Sequence, residues 1–210
     1  MSNIFFKPWI GKNYGTKEAI FSKRILILGD SHHCEKECSN CGVEQNKDRC
    51  ENFTTEVING YLDINHKASW KRTFSKFMNS FVANSVLEKS DRNELWDSLA
   101  FYNYLQVAAG NDNRQTHLYN YNEELHFIAF NEVLTSLEPD IIICWGNNVW
   151  DALPNDFGWG TAVSNDKFSN CHLIYPFKDQ TIELLGITHP STAYKSSYWS
   201  NVFFEIGANK

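Results

Sequence analysis

Two apolar runs, each closed by a glycine, most narrow what this chain can fold into. Arg24-Ile25-Leu26-Ile27-Leu28 ends in Gly29, and Asp140-Ile141-Ile142-Ile143-Cys144-Trp145 ends in Gly146. Neither run alternates with polar residues, so both read as strands buried on two faces, the pattern of a parallel sheet covered by helices. Ser98 to Val107 (SLAFYNYLQV) and Ile182 to Thr188 (IELLGIT) are two further strand candidates. Leu125, Ile128, Ala129, Val133, Leu134 and Leu137 keep helical spacing ahead of Pro139, and Val149, Trp150 and Leu153 do so after Gly146. Asp91 and Glu94 make a capping box for a short helix before Ser98. Strands alternating with helices predict an α/β fold with a doubly wound, mostly parallel sheet flanked by helices. A chain of 210 residues, 42% hydrophobic and 15% aromatic, can bury one sizeable core, which predicts a single domain over residues 1–210.

No run of 18 apolar residues occurs, and MSNIFFKPWIGKNYG lacks a basic segment followed by an apolar one. A cytoplasmic monomer that does not enter a membrane is therefore expected, and its six cysteines should stay reduced. The net charge of -6 argues against holding nucleic acid by bulk electrostatics, since phosphate binding needs Lys and Arg facing the backbone. Local basic groups remain: Lys12, Lys17, Lys23 and Arg24; Lys67, Lys71, Arg72 and Lys76; and Arg114. Solvated surface charge is the plainer reading of them.

In a doubly wound sheet, ligands bind beyond the carboxyl ends of the strands. Each of the four candidate strands has polar residues there. After the first come Asp30, Ser31, His32 and His33, an acid, a hydroxyl and two imidazoles in one turn, although Asp and Ser also cap turns. Within the second, Asn103 is a carboxamide among aromatics. It could offer a donor and an acceptor side by side to a base edge, or bond only to backbone. After the third, Gly146-Asn147-Asn148 opens a helix whose N–H groups could hold an anion or be capped. After the fourth, His189-Pro190-Ser191-Thr192 sets an imidazole where it can stabilise developing negative charge, with hydroxyls beside it for phosphate.

Taken in order, ILILGDSHH, FYNYLQVAAGNDNRQT, DIIICWGNNVWDAL and ITHPSTAY resemble the motifs of the uracil-DNA glycosylase superfamily, over residues 24 to 195. The resemblance implies a three-layer α/β/α domain that binds DNA, flips a nucleotide out of the stack and hydrolyses its N-glycosidic bond. It casts Asp30 as the acid that activates water and His189 as the stabiliser of the departing base. Asn103 would read the base, and Ser191 would hold a flanking phosphate. Phe53, just ahead of a helix over Thr54 to Leu62, would stack on the base, and Tyr194 would wedge into the vacated space. Asp30 stands where the iron–sulfur branch carries Glu, and Ser31-His32-His33 replaces that branch's Ala-Pro-Gly or the Asp-Pro-Tyr found elsewhere in the family. His33, with Ser31 beside it, would then face the 5-position of the base. An imidazole there could admit or contact a modified pyrimidine, act as a second base, or neighbour a metal. Repair and defence against phage with altered DNA are both open as settings.

Cys34, Cys38, Cys41 and Cys50 follow the spacing C-x3-C-x2-C-x8-C. Four thiolates in a polar loop can close a tetrahedral structural zinc site, and a [4Fe-4S] cluster is the alternative. The first three also fit a radical SAM motif, which would require a (βα) barrel and leave Cys50 and His-Pro-Ser unexplained. A GDS-type esterase would use Ser31 as nucleophile, but Gly186 stands where an Asp should precede His189. A protein of the same fold that binds bases or nucleotides without cutting them is the third alternative.

Overall fold

A computed structural model describes residues 2–33, 50–82, 89–109, 119–163 and 171–208. Its strands are β1 (Trp9–Ile10), β2 (Ile25–Gly29), β3 (Leu99–Asn103), β4 (Ile141–Trp145), β5 (Thr161–Ala162), β6 (His172–Phe177) and β7 (Gln180–Ile187). Its helices are α1 (Phe53–Leu62), α2 (Lys71–Met78), α3 (Lys89–Asp97), α4 (Glu124–Leu137), α5 (Asn147–Ala152) and α6 (Ser196–Glu205), with a tighter turn at Asn79–Phe81. Among the described residues the strands form one sheet in the order β1-β3-β2-β4-β7-β6-β5. The central four, β3, β2, β4 and β7, run parallel, and antiparallel strands close both sides. The fold is α/β, as the two glycine-closed runs predict.

β2, β3 and β4 are buried along their whole length, and alternate residues feed opposite layers. Ile25, Ile27, Phe101, Ile141 and Ile143 pack against Ile58, Phe74, Phe77, Trp96 and Phe203 of α1, α2, α3 and α6. Leu26, Leu28, Tyr102, Ile142 and Cys144 pack against Phe130, Val133 and Leu134 of α4 and Val149 of α5. Helices thus cover both faces, giving three layers. At about 1.5–3 kcal/mol for each large apolar side chain removed from water, these two cores are the main favourable term in folding.

The structure revises several boundaries. The strand expected over Ser98 to Val107 stops at Asn103. Tyr104 and Leu105 then donate their N–H groups to the carbonyls of Gly29 and Asp30, and the Gln106 amide accepts from Phe5 and Phe6. Helix α3 starts at Lys89, so Asp91 lies inside its first turn and is not the cap of a capping box. Tyr194, expected as a wedge into DNA, is in the core instead. It is 7% exposed, stacked on Trp199 and hydrogen-bonded through its hydroxyl to Ser80 at 2.7 Å. The first basic group serves as ion-pair partners: Lys12 with Asp97, Lys17 with Glu18, Lys23 with Glu183, and Arg24 with Glu138 and Asp140. Arg114 lies outside the described residues. No helix among the described residues is long and apolar enough to cross a membrane.

Candidate active site

Parallel pairing brings the carboxyl ends of β3, β2, β4 and β7 to one edge of the sheet, where Gly29 lies opposite Asn103 and Trp145 opposite Ile187. A cleft of about 900 Å³ opens there. Asp30, Ser31, His32 and His33 after β2, Asn103 at the end of β3, Gly146 to Asn148 after β4, and His189 and Ser191 after β7 all line it, with Phe53 at the start of α1. All four strand ends singled out in the sequence therefore meet. Of the expected site residues within the described segments, Tyr194 and Cys50 are not in its lining.

Asp30 is held by a hydrogen bond that no motif announces: the Tyr121 hydroxyl donates to its Oδ1 at 2.6 Å. Burial pushes the Asp30 carboxyl above its ordinary value, opposed by the Tyr121 bond, by nearby His33 and by Ser31. The carboxylate is thus held by the Tyr121 and Ser31 hydroxyls at the edge of the cleft.

His189 is oriented by its own loop. The Ser191 N–H donates to its Nδ1 at 3.2 Å, and the Ser191 hydroxyl lies 2.7 Å from the same nitrogen. An Nδ1 that accepts leaves the ring proton on Nε2. Burial, reinforced by His33, lowers the pKa of His189 to about 4, so at neutral pH it is an uncharged donor. Its ring stands edge-on to Trp145, with centroids 5.8 Å apart. Gly146 holds a positive φ of 86°, and even a Cβ there would press to 3.3 Å from that of His189. Lys76 of α2 donates to the carbonyl of Thr192 at 3.1 Å and braces the loop.

Asn103 is 6% exposed. Its Nδ2 donates to the Ser31 carbonyl at 3.1 Å and to His32 Nδ1 at 3.1 Å. The side-by-side donor and acceptor expected from the sequence are therefore not both on offer, and its Oδ1 is what remains to accept from a ligand. His32, in turn, lies 3.0 Å through Nε2 from the Thr54 hydroxyl, and burial lowers its pKa to about 3. It is a neutral brace between β3 and α1. Phe53 stacks on the His32 ring at 4.8 Å, so it is pre-positioned beside the cleft by another side chain.

Ser31 Oγ lies 3.5 Å from His33 Nε2, while His33 Nδ1 is buried with no partner among the described residues. A serine nucleophile would need a group there to orient the imidazole, so this pair does not amount to a hydrolase triad. Cys34, Cys38 and Cys41 lie outside the described residues. Cys50 is 8% exposed and packs with Phe6, Ala108 and Phe53. Phe6 also contacts the His32 ring at 4.6 Å. Among the described residues alone, no group of three or more potential metal ligands occurs.

Sequence reasoning missed Tyr121, Trp145 and Thr54 as parts of the site, and it singled out His33 while giving His32 no role of its own. Only Trp145, the last residue of an apolar run beside Gly146, carried a local signal. No protein-family model matches the chain, and no curated protein matches it. Function has to be read from the cleft.

Proposed function

We propose that the protein is a DNA glycosylase that hydrolyses the N-glycosidic bond of a flipped-out uracil or modified pyrimidine. The observation that carries this reading is that one cleft contains a half-buried carboxylate, a buried amide and a neutral imidazole, contributed by three separate strand ends. Inside duplex DNA the bond to the sugar is out of reach, so the nucleotide must leave the stack first. As the bond between C1′ and the base nitrogen breaks, its electron pair leaves with the base. His189 then donates from Nε2 to the oxygen where negative charge gathers. The Asp30 carboxylate faces the cationic sugar and takes the proton of the water that adds to C1′. Asn103 accepts from the base through Oδ1, Phe53 offers a ring for stacking, and Ser191 and Thr192 lie at the cleft edge for a flanking phosphate. A cytoplasmic setting and action as a monomer belong to the same reading.

A structural zinc on Cys34, Cys38, Cys41 and Cys50, or a [4Fe-4S] cluster on the same thiolates, is part of the proposal. Bound there, it would pin the segment between His33 and α1. Cys50 immediately precedes the stretch that carries Phe53 and Thr54, so α1 would be anchored at its cleft end.

The test is incubation with oligonucleotides carrying uracil, 5-hydroxymethylcytosine or its glucosylated form, followed by alkali. Strand breaks at the modified position are expected. Asp30→Asn and His189→Ala should each lower base release by about 10²–10⁴-fold while DNA binding persists. Binding without release by the wild type would favour a non-catalytic role, and full activity in both variants would remove the proposed roles.

A further inference from the structure

The cleft is larger than the chemistry of a plain pyrimidine requires. From His189 a row of rings runs along it in single steps: 5.8 Å to Trp145, 5.5 Å to Phe74, 5.6 Å to Trp70 and 5.9 Å to His66. Adjacent packed rings are themselves about 4.5–7 Å apart, so a single pyrimidine beside His189 covers only the first part of that row. The far arm is lined by Glu56 and Gly60 of α1, His66, Trp70 and Thr73. A Cβ on Gly60 would lie 3.5 Å from the Trp70 ring and 3.9 Å from His66. Any side chain longer than a methyl there would grow into the space between them.

The chemistry of this arm is specific. Trp70 supplies a broad apolar surface, while Glu56, His66 and Thr73 supply hydrogen-bonding groups around it. No Lys or Arg is found among the described residues that line the cleft. Lys71, the cation next to Trp70, has its ammonium on the carbonyls of Asp63 at 2.6 Å and His66 at 2.9 Å. A carboxylate without a cation disfavours phosphate, and hence a flanking nucleotide with its backbone. It suits an uncharged group rich in hydroxyls, whose C–H face rests on an indole and whose O–H groups donate to a carboxylate.

The geometry points to a second subsite, over Trp70 and Glu56, for a hydroxyl-rich substituent of about hexose size carried on the target base. This rests on the glycosylase reading and narrows it to an enlarged base. The experiment uses the full-length Asp30→Asn protein, which should bind without releasing base, and oligonucleotides of equal length carrying uracil, 5-hydroxymethylcytosine or glucosylated 5-hydroxymethylcytosine. Affinity is read by fluorescence anisotropy. The glucosylated strand should bind at least about tenfold more tightly than the hydroxymethyl one, and adding Trp70→Ala should erase most of that ratio. Glu56→Ala, at an exposed position where folding is not at stake, should reduce the ratio as well. Equal affinity for the three strands, or a preference that survives both substitutions, overturns the subsite. So does a Trp70-dependent gain from lengthening an unmodified strand, which would make the arm a seat for a neighbouring base. If the wild type releases all three bases equally well, the subsite falls and the glycosylase stands. If it neither binds nor cleaves any of them, both fall.

Discussion

At the scale of single residues, the site depends on neighbours that set charge. The proposed reaction needs Asp30 as an anion in a place where burial favours the protonated acid, and the Tyr121 hydroxyl at 2.6 Å opposes that shift. Tyr121→Phe keeps the ring and removes the donor. The Asp30 pKa should then rise further, moving the acid limb of kcat/KM to higher pH and lowering activity at neutral pH. A carbon-13 titration of the aspartate carboxyls would report the same change without any substrate. An unshifted Asp30 would mean that the tyrosine only fills space. His189 behaves oppositely. With a pKa of about 4 it is neutral at neutral pH, where it can donate from Nε2.

At the scale of elements, the end of β2 works because glycine lets β3 come close. An ideal Cβ on Gly29 would overlap Asn103 Oδ1 and touch the Phe101 ring. Gly29→Ala should therefore push Asn103 away from Ser31 and His32 and cost about 1–3 kcal/mol, read as a lower urea midpoint at unchanged slope. A midpoint equal to that of the wild type would show that the amide has slack the coordinates do not suggest. The same packing gives His32, which the sequence left without a role, its place beside Asn103. Two adjacent histidines look alike in the chain, yet one fits between Asn103 and Thr54 and the other faces the cleft.

For the whole molecule, burial of uncharged imidazoles makes folding sensitive to acid. His32 and His189 have folded pKa values of about 3 and about 4, against 6.5 for an unperturbed ring. Above 6.5 both are neutral folded or unfolded, and nothing is gained or lost. As the pH falls below 6.5, the unfolded chain takes up protons that the folded one refuses, so stability declines towards pH 4. Asp30, raised in the folded state, works the other way over the lower part of that window. His126, also buried and lowered by burial, adds to the same loss, so with three imidazoles against one carboxyl a net loss on the order of a few kcal/mol is expected between pH 6.5 and 4. Urea midpoints across that range should fall in the wild type and fall less in His32→Gln; a flat profile would contradict the buried, neutral assignment of these rings.

What the sequence determined by itself was the layering and the location of the site. Uninterrupted apolar runs such as Ile25–Gly29 and Ile141–Trp145 call for burial on two faces, and parallel strands end on the same edge, which is why Asp30, Asn103 and His189 were expected to converge. Only the tertiary structure could decide which polar atoms stay free to act. Tyr121 reaches Asp30 from a segment 91 residues away, Asn103 Nδ2 is taken up by Ser31 and His32, and Tyr194 turns into the core towards Ser80. Hydrogen bonds and buried rings between distant segments depend on a few tenths of an ångström of packing, and local periodicity contains no record of that.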